Sequence, residues 1–316
     1  MKKILFIFIA LSVFCFAPVL QAAEKQKLDL MLDWFPNIDH LPVYVAKANG
    51  YFEKNGVDVN IMSPSETSDG LKLAAAGTVD LSVSYEPQTI IAASQGLDLK
   101  VVGHLVDHPL TTLMFLKGKG ISTPSDLEGK TIGYTVPGLM DGLLAAFASL
   151  NNIKEYTPVN VGFTILPALA SGKVDAVMGP FKTYETVAMA QHGYKSGYFE
   201  LEHHGIPDYE ELIFVCGKKV LADKAKAKAV HGFVRAIEQA MDYTGNHPAE
   251  ALKIYLAQVP EADSATETQA FELTRPYYAA TRVTDAVKWQ AFADFALAHK
   301  LIEKRVDVNT IIHTWK

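Results

Sequence analysis

The chain has 316 residues, 49% of them hydrophobic and 20% charged, with a net charge of −6. That composition suits a globular protein with a sizeable core, filling one large domain or two medium ones. The acidic balance and the lack of basic runs argue against nucleic acid and anionic lipid as partners.

Lys2 and Lys3 precede an apolar run, Ile4 to Phe16, which ends in Ala17-Pro18-Val19-Leu20-Gln21-Ala22-Ala23. This reads as a cleavable secretory signal over residues 1–22, too short in its apolar part to span a bilayer comfortably. A released mature chain then keeps one cysteine, Cys216, within an apolar run, so burial is expected and an internal disulfide is excluded. Leu28, Leu30 and Leu32 alternate with Asp29, Met31 and Asp33, the period of a strand with one face well buried. The pattern breaks at Asp33-Trp34-Phe35-Pro36-Asn37, where Pro36 stops the ladder. A helical run from Tyr44 to Tyr51 and a strand over Val57 to Ile61 complete a βαβ unit, which binds ligands beyond the carboxyl ends of its strands.

A weak repeat follows. Gly77-Thr78-Val79-Asp80 and Gly172-Lys173-Val174-Asp175 each come after a small-residue helix and lead into a short strand, Leu81 onward and Ala176 onward. Two copies at comparable places predict two similar α/β lobes. Between them, strands are expected at Leu99–Val106, Thr111–Leu116, Lys130–Val136 and Val159–Phe163, and a helix over Leu143–Leu150. After Cys216, the spacing of Val230, Phe233, Val234, Ile237 and Met241, and of Trp289, Phe292, Ala293 and Ala296, predicts the packing faces of long helices. The expected organisation is one discontinuous lobe, 23–112 plus 213–316, and a continuous one, 113–212. Two chain crossovers, near Thr111 to Lys117 and Tyr209 to Gly217, would form a hinge.

The runs Leu32-Asp33-Trp34, Pro36-Asn37, His40, Gly50-Tyr51-Phe52 and Gly56-Val57-Asp58-Val59 carry a resemblance. With Gly77-x-Val79-Asp80, Gly129-Lys130-x-Ile132-Gly133 and Asp175-Ala176-Val177-x-Gly179 to Glu185, they resemble the family of periplasmic pyrimidine-precursor-binding proteins and fungal thiamine-pyrimidine synthases. The resemblance covers most of the chain before about Val220. It implies a two-lobed periplasmic binding protein fold, type II-like, and a small-molecule pyrimidine ligand in the cleft. It also implies a periplasmic location and an inner-membrane ABC permease with its ATPase as partners of a monomeric receptor.

Candidate ligand-binding residues follow from the strand ends. Trp34, Tyr85, Phe181 and Tyr184 could stack on a flat heterocycle, and Asp33, Glu86 and Glu185 could accept hydrogen bonds from its amine and ring nitrogens. For Glu185 the resemblance adds a match to the acidic residue of the pyrimidine binders. Asn37 can bond a ligand or brace the loop, and His40 is expected to fix the loop. Thr135, Pro137 and Gly138 end a strand and open a helix, offering backbone N–H groups to a polar substituent. No cofactor or metal is expected, because the histidines are scattered and no phosphate-loop or zinc spacing occurs. In the synthase branch a lysine carries pyridoxal phosphate and a histidine four residues later is consumed. The resemblance aligns Ser84 and Gln88 with those positions, which implies a receptor rather than an enzyme. No arginine lies between the signal and Arg235, which argues against a sulfonate or nitrate ligand.

Overall fold

The computed structural model describes residues 25–279 and 284–315; the expected signal segment lies outside them. Ten strands form two five-stranded sheets. The first contains β1 (Gln26–Met31), β2 (Val57–Met62), β3 (Leu81–Ser84), β4 (Leu99–Val106) and β10 (Leu212–Gly217), in the order β2-β1-β3-β10-β4. The second contains β5 (Thr111–Leu116), β6 (Thr131–Tyr134), β7 (Thr157–Asn160), β8 (Ala176–Phe181) and β9 (Ser196–Glu200), in the order β7-β6-β8-β5-β9.

The two sheets follow one plan. In each, three strands run parallel, β2-β1-β3 and β7-β6-β8. The fourth place is taken by an antiparallel strand, β10 or β5, that enters directly after the chain has passed from the other sheet. The repeated Gly-x-Val-Asp motif does the same work twice. Gly77 and Gly172 adopt left-handed backbone at φ +77° and +72°, ending the preceding helix as glycine can without strain. Val79 and Val174 are buried. The Asp80 carboxylate accepts the Asp29 N–H at 3.0 Å, and that of Asp175 accepts the Thr131 N–H at 2.9 Å. Each aspartate thereby ties the mouth of one parallel strand to its neighbour.

Two details differ from the sequence-based expectation. Thr111 and Thr112 are already paired within the second sheet, so the first passage lies over residues 107–110, earlier than Thr111 to Lys117. The second passage spans residues 205–211. β7 stops at Asn160, because Gly162 turns the chain at φ +47°, and Phe163 leaves the strand for the loop beyond it.

Glu211 joins the two passages. Its carboxylate accepts the N–H groups of Leu110 and Thr111 and the Thr111 hydroxyl. The C-terminal helices cover the first sheet. Helix Lys224–Asn246 is capped by Asp223, whose side chain accepts the N–H groups of Ala225 and Lys226. Its Phe233 stacks on Phe52 with centroids 5.5 Å apart. Trp289, Phe292, Ala293 and Ala296 are buried, as their spacing predicts. Cys216 is free and buried in β10, where desolvation pushes its thiol up to about 12.

Candidate functional site

The carboxyl ends of β1, β3, β6 and β8 meet around a small cavity. Parallel strands leave their terminal C=O groups and following loops at one end of a sheet, so two such ends facing each other frame a cleft. The first sheet contributes Asp33, Trp34, Asn37, Asp39, His40, Tyr85 and Leu212; the second contributes Thr135, Ile165, Gly179, Phe181 and Glu185.

The loop after β1 is fixed from within. Pro36 breaks the strand, and the Asn37 side chain caps the short turn Ile38–His40 by accepting the Asp39 N–H at 2.9 Å. The Asn37 N–H points at His40 Nδ1, 3.4 Å away, which makes Nδ1 the acceptor. Nε2 therefore carries the hydrogen and donates to Asp33 Oδ1 at 2.9 Å. Asp33 Oδ2 accepts the Tyr85 hydroxyl at 2.7 Å. Burial first, then the Asp33 charge and hydrogen bond, push the Tyr85 phenol well above its usual range, so it remains a donor. Both oxygens of Asp33 are thus committed to the protein.

Glu185 opens helix Glu185–Gln191. Its Oε2 accepts the Phe181 N–H at 2.7 Å, and burial raises its carboxyl to about 7 against the lowering effect of that bond. Asp39 differs from both. It is fully buried, and neither carboxylate oxygen has a hydrogen-bond partner. Desolvation, followed by the charges of Glu185, Asp33, Glu267 and Glu211, pushes it well above the ordinary carboxylate range.

Trp34 reaches from the first sheet toward the second. Its ring lies edge-on to Phe163 at 4.6 Å, and Phe35, half exposed, packs on the other part of the same ring at 4.5 Å. On the opposite wall Gly179 (φ +128°) is packed so closely on Thr135 that a side chain there would collide with it. The Thr67 hydroxyl donates to the Thr135 carbonyl at 2.7 Å, a second link across the cleft.

Eight of the twelve residues expected at the site line the cavity: Asp33, Trp34, Asn37, His40, Tyr85, Thr135, Phe181 and Glu185. Four do not. Glu86 is buried behind the wall, where its Oε2 accepts the Glu210 N–H at 2.8 Å. The Tyr184 hydroxyl turns away to donate to Glu267 Oε1 at 3.0 Å. Pro137 lies beyond the lining, and the Gly138 N–H is already taken by Asp141 Oδ1 at 2.7 Å. Sequence reasoning missed Asp39, Ile165, Gly179 and Leu212. For Asp39 the signal was present, a carboxylate directly before His40 in the opening motif. No lysine or arginine among the described residues lines the cavity. Among the described residues no group of three or more His, Cys, Asp or Glu side chains could hold a metal ion.

Ser84 and Gln88 lie at the end of β3 and in the helix after it, the Ser84 hydroxyl donating to Gln88 Oε1 at 2.9 Å. A hydroxyl there cannot form the imine that would anchor pyridoxal phosphate, so these residues do not fit that cofactor.

A family model described as NMT1/THI5 like matches residues 37–251. A Haemophilus influenzae protein named for thiamine biosynthesis is 38% identical over 290 residues, covering 90% of this chain and 91% of the relative. The formylaminopyrimidine-binding protein of Halalkalibacterium halodurans is 32% identical over 240 residues, 75% of this chain and 72% of that one. A 4-amino-5-hydroxymethyl-2-methylpyrimidine phosphate synthase of Saccharomyces cerevisiae is 26% identical over 272 residues, 82% of this chain and 78% of the yeast protein. Among solved structures, the alkanesulfonate-binding protein of Xanthomonas axonopodis pv. citri bound to MOPS superposes with a TM-score of 0.73 at 20% identity, covering 92% of this chain and 99% of that one. The fold is that of the periplasmic binding proteins.

Proposed function

The chain belongs to the NMT1/THI5-like family, and from that premise we propose that it is a solute receptor for a pyrimidine precursor of thiamine. The ligand class is an aminopyrimidine bearing a hydroxymethyl or formylaminomethyl group. The receptor is exported to the periplasm as a monomer and hands its ligand to an inner-membrane ABC permease driven by its ATPase. Among the described residues no helix is long and apolar enough to cross a membrane.

One observation carries this reading: the cavity combines an indole wall with three carboxylates, and among the described residues no lysine or arginine lines it. Acids in a desolvated cleft favour a ligand that presents N–H donors, and an aromatic wall favours a planar one. The relative named as a formylaminopyrimidine-binding protein supports the same ligand class. A sulfonate or nitrate would meet Asp33, Asp39 and Glu185 with no lysine or arginine among the described lining residues to pair with it. The two halves act as lobes that close about residues 107–110 and 205–211, burying the ring against Trp34 and exposing a new face to the permease.

The test is calorimetric titration with hydroxymethyl- and formylaminomethyl-aminopyrimidines. Trp34→Ala and Glu185→Ala should each weaken binding about tenfold or more with the fold intact, the stacking and hydrogen-bond losses being roughly 1–3 kcal/mol. Unchanged affinity in both variants would remove these residues from the site.

The synthase relatives support a second reading, a pyrimidine-forming enzyme. It is the weaker one, since Ser84 and Gln88 stand at the two aligned reactive positions. Incubation with pyridoxal phosphate separates the two readings: a yellow adduct that survives dialysis favours the enzyme. A colourless protein whose melting temperature rises with aminopyrimidine favours the receptor.

A further inference from the structure

Three carboxylates line the cavity, and their free acceptor capacity differs. Asp33 has given Oδ1 to His40 and Oδ2 to Tyr85. Glu185 has given Oε2 to the Phe181 N–H, and its carboxylate is also held by its own backbone N–H. Asp39 has given neither oxygen to anything, although it is fully buried. A buried polar group without a partner is expensive and calls for an explanation, and among the described residues Asp39 alone of the unpartnered acids faces the cavity. The Tyr278 hydroxyl, close enough to feel the Asp39 charge, donates instead to the Ile38 carbonyl at 2.6 Å.

We propose that Asp39 is the specificity-determining residue of the cavity, reading with both oxygens at once the paired N–H donors of an amino group and the ring nitrogen beside it. The proposal rests on the pyrimidine reading above and narrows it to ligands with an amidine-like edge, an exocyclic amine next to a basic ring nitrogen. A carboxylate with two free oxygens matches such an edge in a two-pronged pair. Neither Asp33 nor Glu185 has two oxygens left to do so.

In the empty cavity, burial first and then the neighbouring acids Glu185, Asp33, Glu267 and Glu211 push the Asp39 carboxyl well above its ordinary range, which favours the neutral acid. On binding, the carboxyl proton moves to the ring nitrogen. The resulting carboxylate accepts the new ring N–H and one amine N–H. No proton is exchanged with solution, and the ligand becomes a cation among acids. A ring lacking the amine offers one donor and leaves one oxygen buried and unpaired, the situation in which polar sites discriminate strongly.

The test compares a hydroxymethyl-aminopyrimidine with the same ring carrying hydrogen in place of the amine, titrated into the full chain, Asp39→Leu and Glu185→Gln. The unmutated protein should prefer the amine by on the order of 10- to 100-fold, the range for a charge-assisted hydrogen bond. In Asp39→Leu the preference should fall to within about threefold, because the apolar side chain offers the amine no acceptor. Glu185→Gln should weaken both ligands and keep the preference. The empty Asp39→Leu protein should melt no lower than the parent, since it loses a buried unpaired acid; a merely structural aspartate would not combine that result with lost discrimination. Should that variant fail to fold, the ultraviolet difference spectrum of the amine bound to the unmutated protein decides, since it should carry the signature of ring protonation. Retained discrimination in Asp39→Leu, or a neutral ring in the bound state, overturns the assignment of Asp39 alone. If the unmutated protein binds neither ring, the pyrimidine reading falls, and this one with it.

Discussion

Gly179 marks how tightly the cavity wall is built. Its φ of +128° lies where only glycine is at ease, and its α-carbon faces Thr135 without room for a methyl group. Gly172, also left-handed but surrounded by open space, is the natural control. Gly179→Ala should cost about 1–3 kcal/mol from backbone strain and impair ligand binding by displacing Thr135. Gly172→Ala should cost about 1 kcal/mol and leave binding unchanged. Urea unfolding and titration of both variants check this, and equal behaviour of the two would mean that Thr135 yields freely. At this scale the sequence was only partly informative. Asp33 read as a ligand acceptor and His40 as a brace of the loop; both line the cavity, and their hydrogen bonds are spent on each other and on Tyr85. Tyr184 read as a stacking residue, but its hydroxyl is drawn to Glu267, on a helix far along the chain.

The strand mouths make the clearest case at the level of elements. Asp80 and Asp175 each reach across to the backbone of a neighbouring parallel strand, at Asp29 and Thr131. Asp80 is held in addition by the Lys226 ammonium. Asp175→Ala should therefore destabilise the chain by about 1–3 kcal/mol, the loss of a charge-assisted bond to backbone. Hydrogen exchange should rise in β6 and β8 rather than in β1 and β3. Asp80→Ala should show the reverse pattern, and uniform exchange in either variant would remove the strand-tying role. This motif was readable because its parts are adjacent in sequence: helix end, left-handed glycine, buried valine, aspartate. The end of β7 was less so. Val159, Val161 and Phe163 alternate like a strand, but Gly162 turns the chain and Phe163 goes to Trp34 and Phe35 instead.

Across the whole molecule, acids gather along the seam between the two halves. Burial raises Glu185, Glu211 and Glu267 each to about 7, opposed by the Phe181 N–H, by the Thr111 and Leu110 groups, and by the Tyr184 hydroxyl respectively. Unfolded, these carboxyls titrate near 4.5. Between those values the native state binds more protons than the unfolded one, so stability must fall as pH rises through the window. The surface caps Asp126 and Asp263, held below their ordinary value of 3.8 by hydrogen bonds, act oppositely and only in stronger acid. The melting temperature of the empty protein should thus decline between about pH 5 and pH 8. Glu211→Gln should flatten that decline, and a melting temperature that rises over the same interval would refute the protonated seam.

What the sequence determined by itself is whatever depends on near neighbours. Alternation set β1 and β2, glycine and aspartate set the two repeated strand entries, and helical spacing set the faces of Val230 to Ile237 and Trp289 to Ala296. Those are consequences of backbone period and local capping, which a few adjacent residues decide. Only the tertiary structure decided which carboxylates keep a free oxygen. The Tyr85 hydroxyl that occupies Asp33 comes from 52 residues away, and the Tyr184 hydroxyl that leaves the cavity for Glu267 crosses 83. Whether a polar group is satisfied depends on every donor that folding brings within about 3 Å, and no local pattern records that.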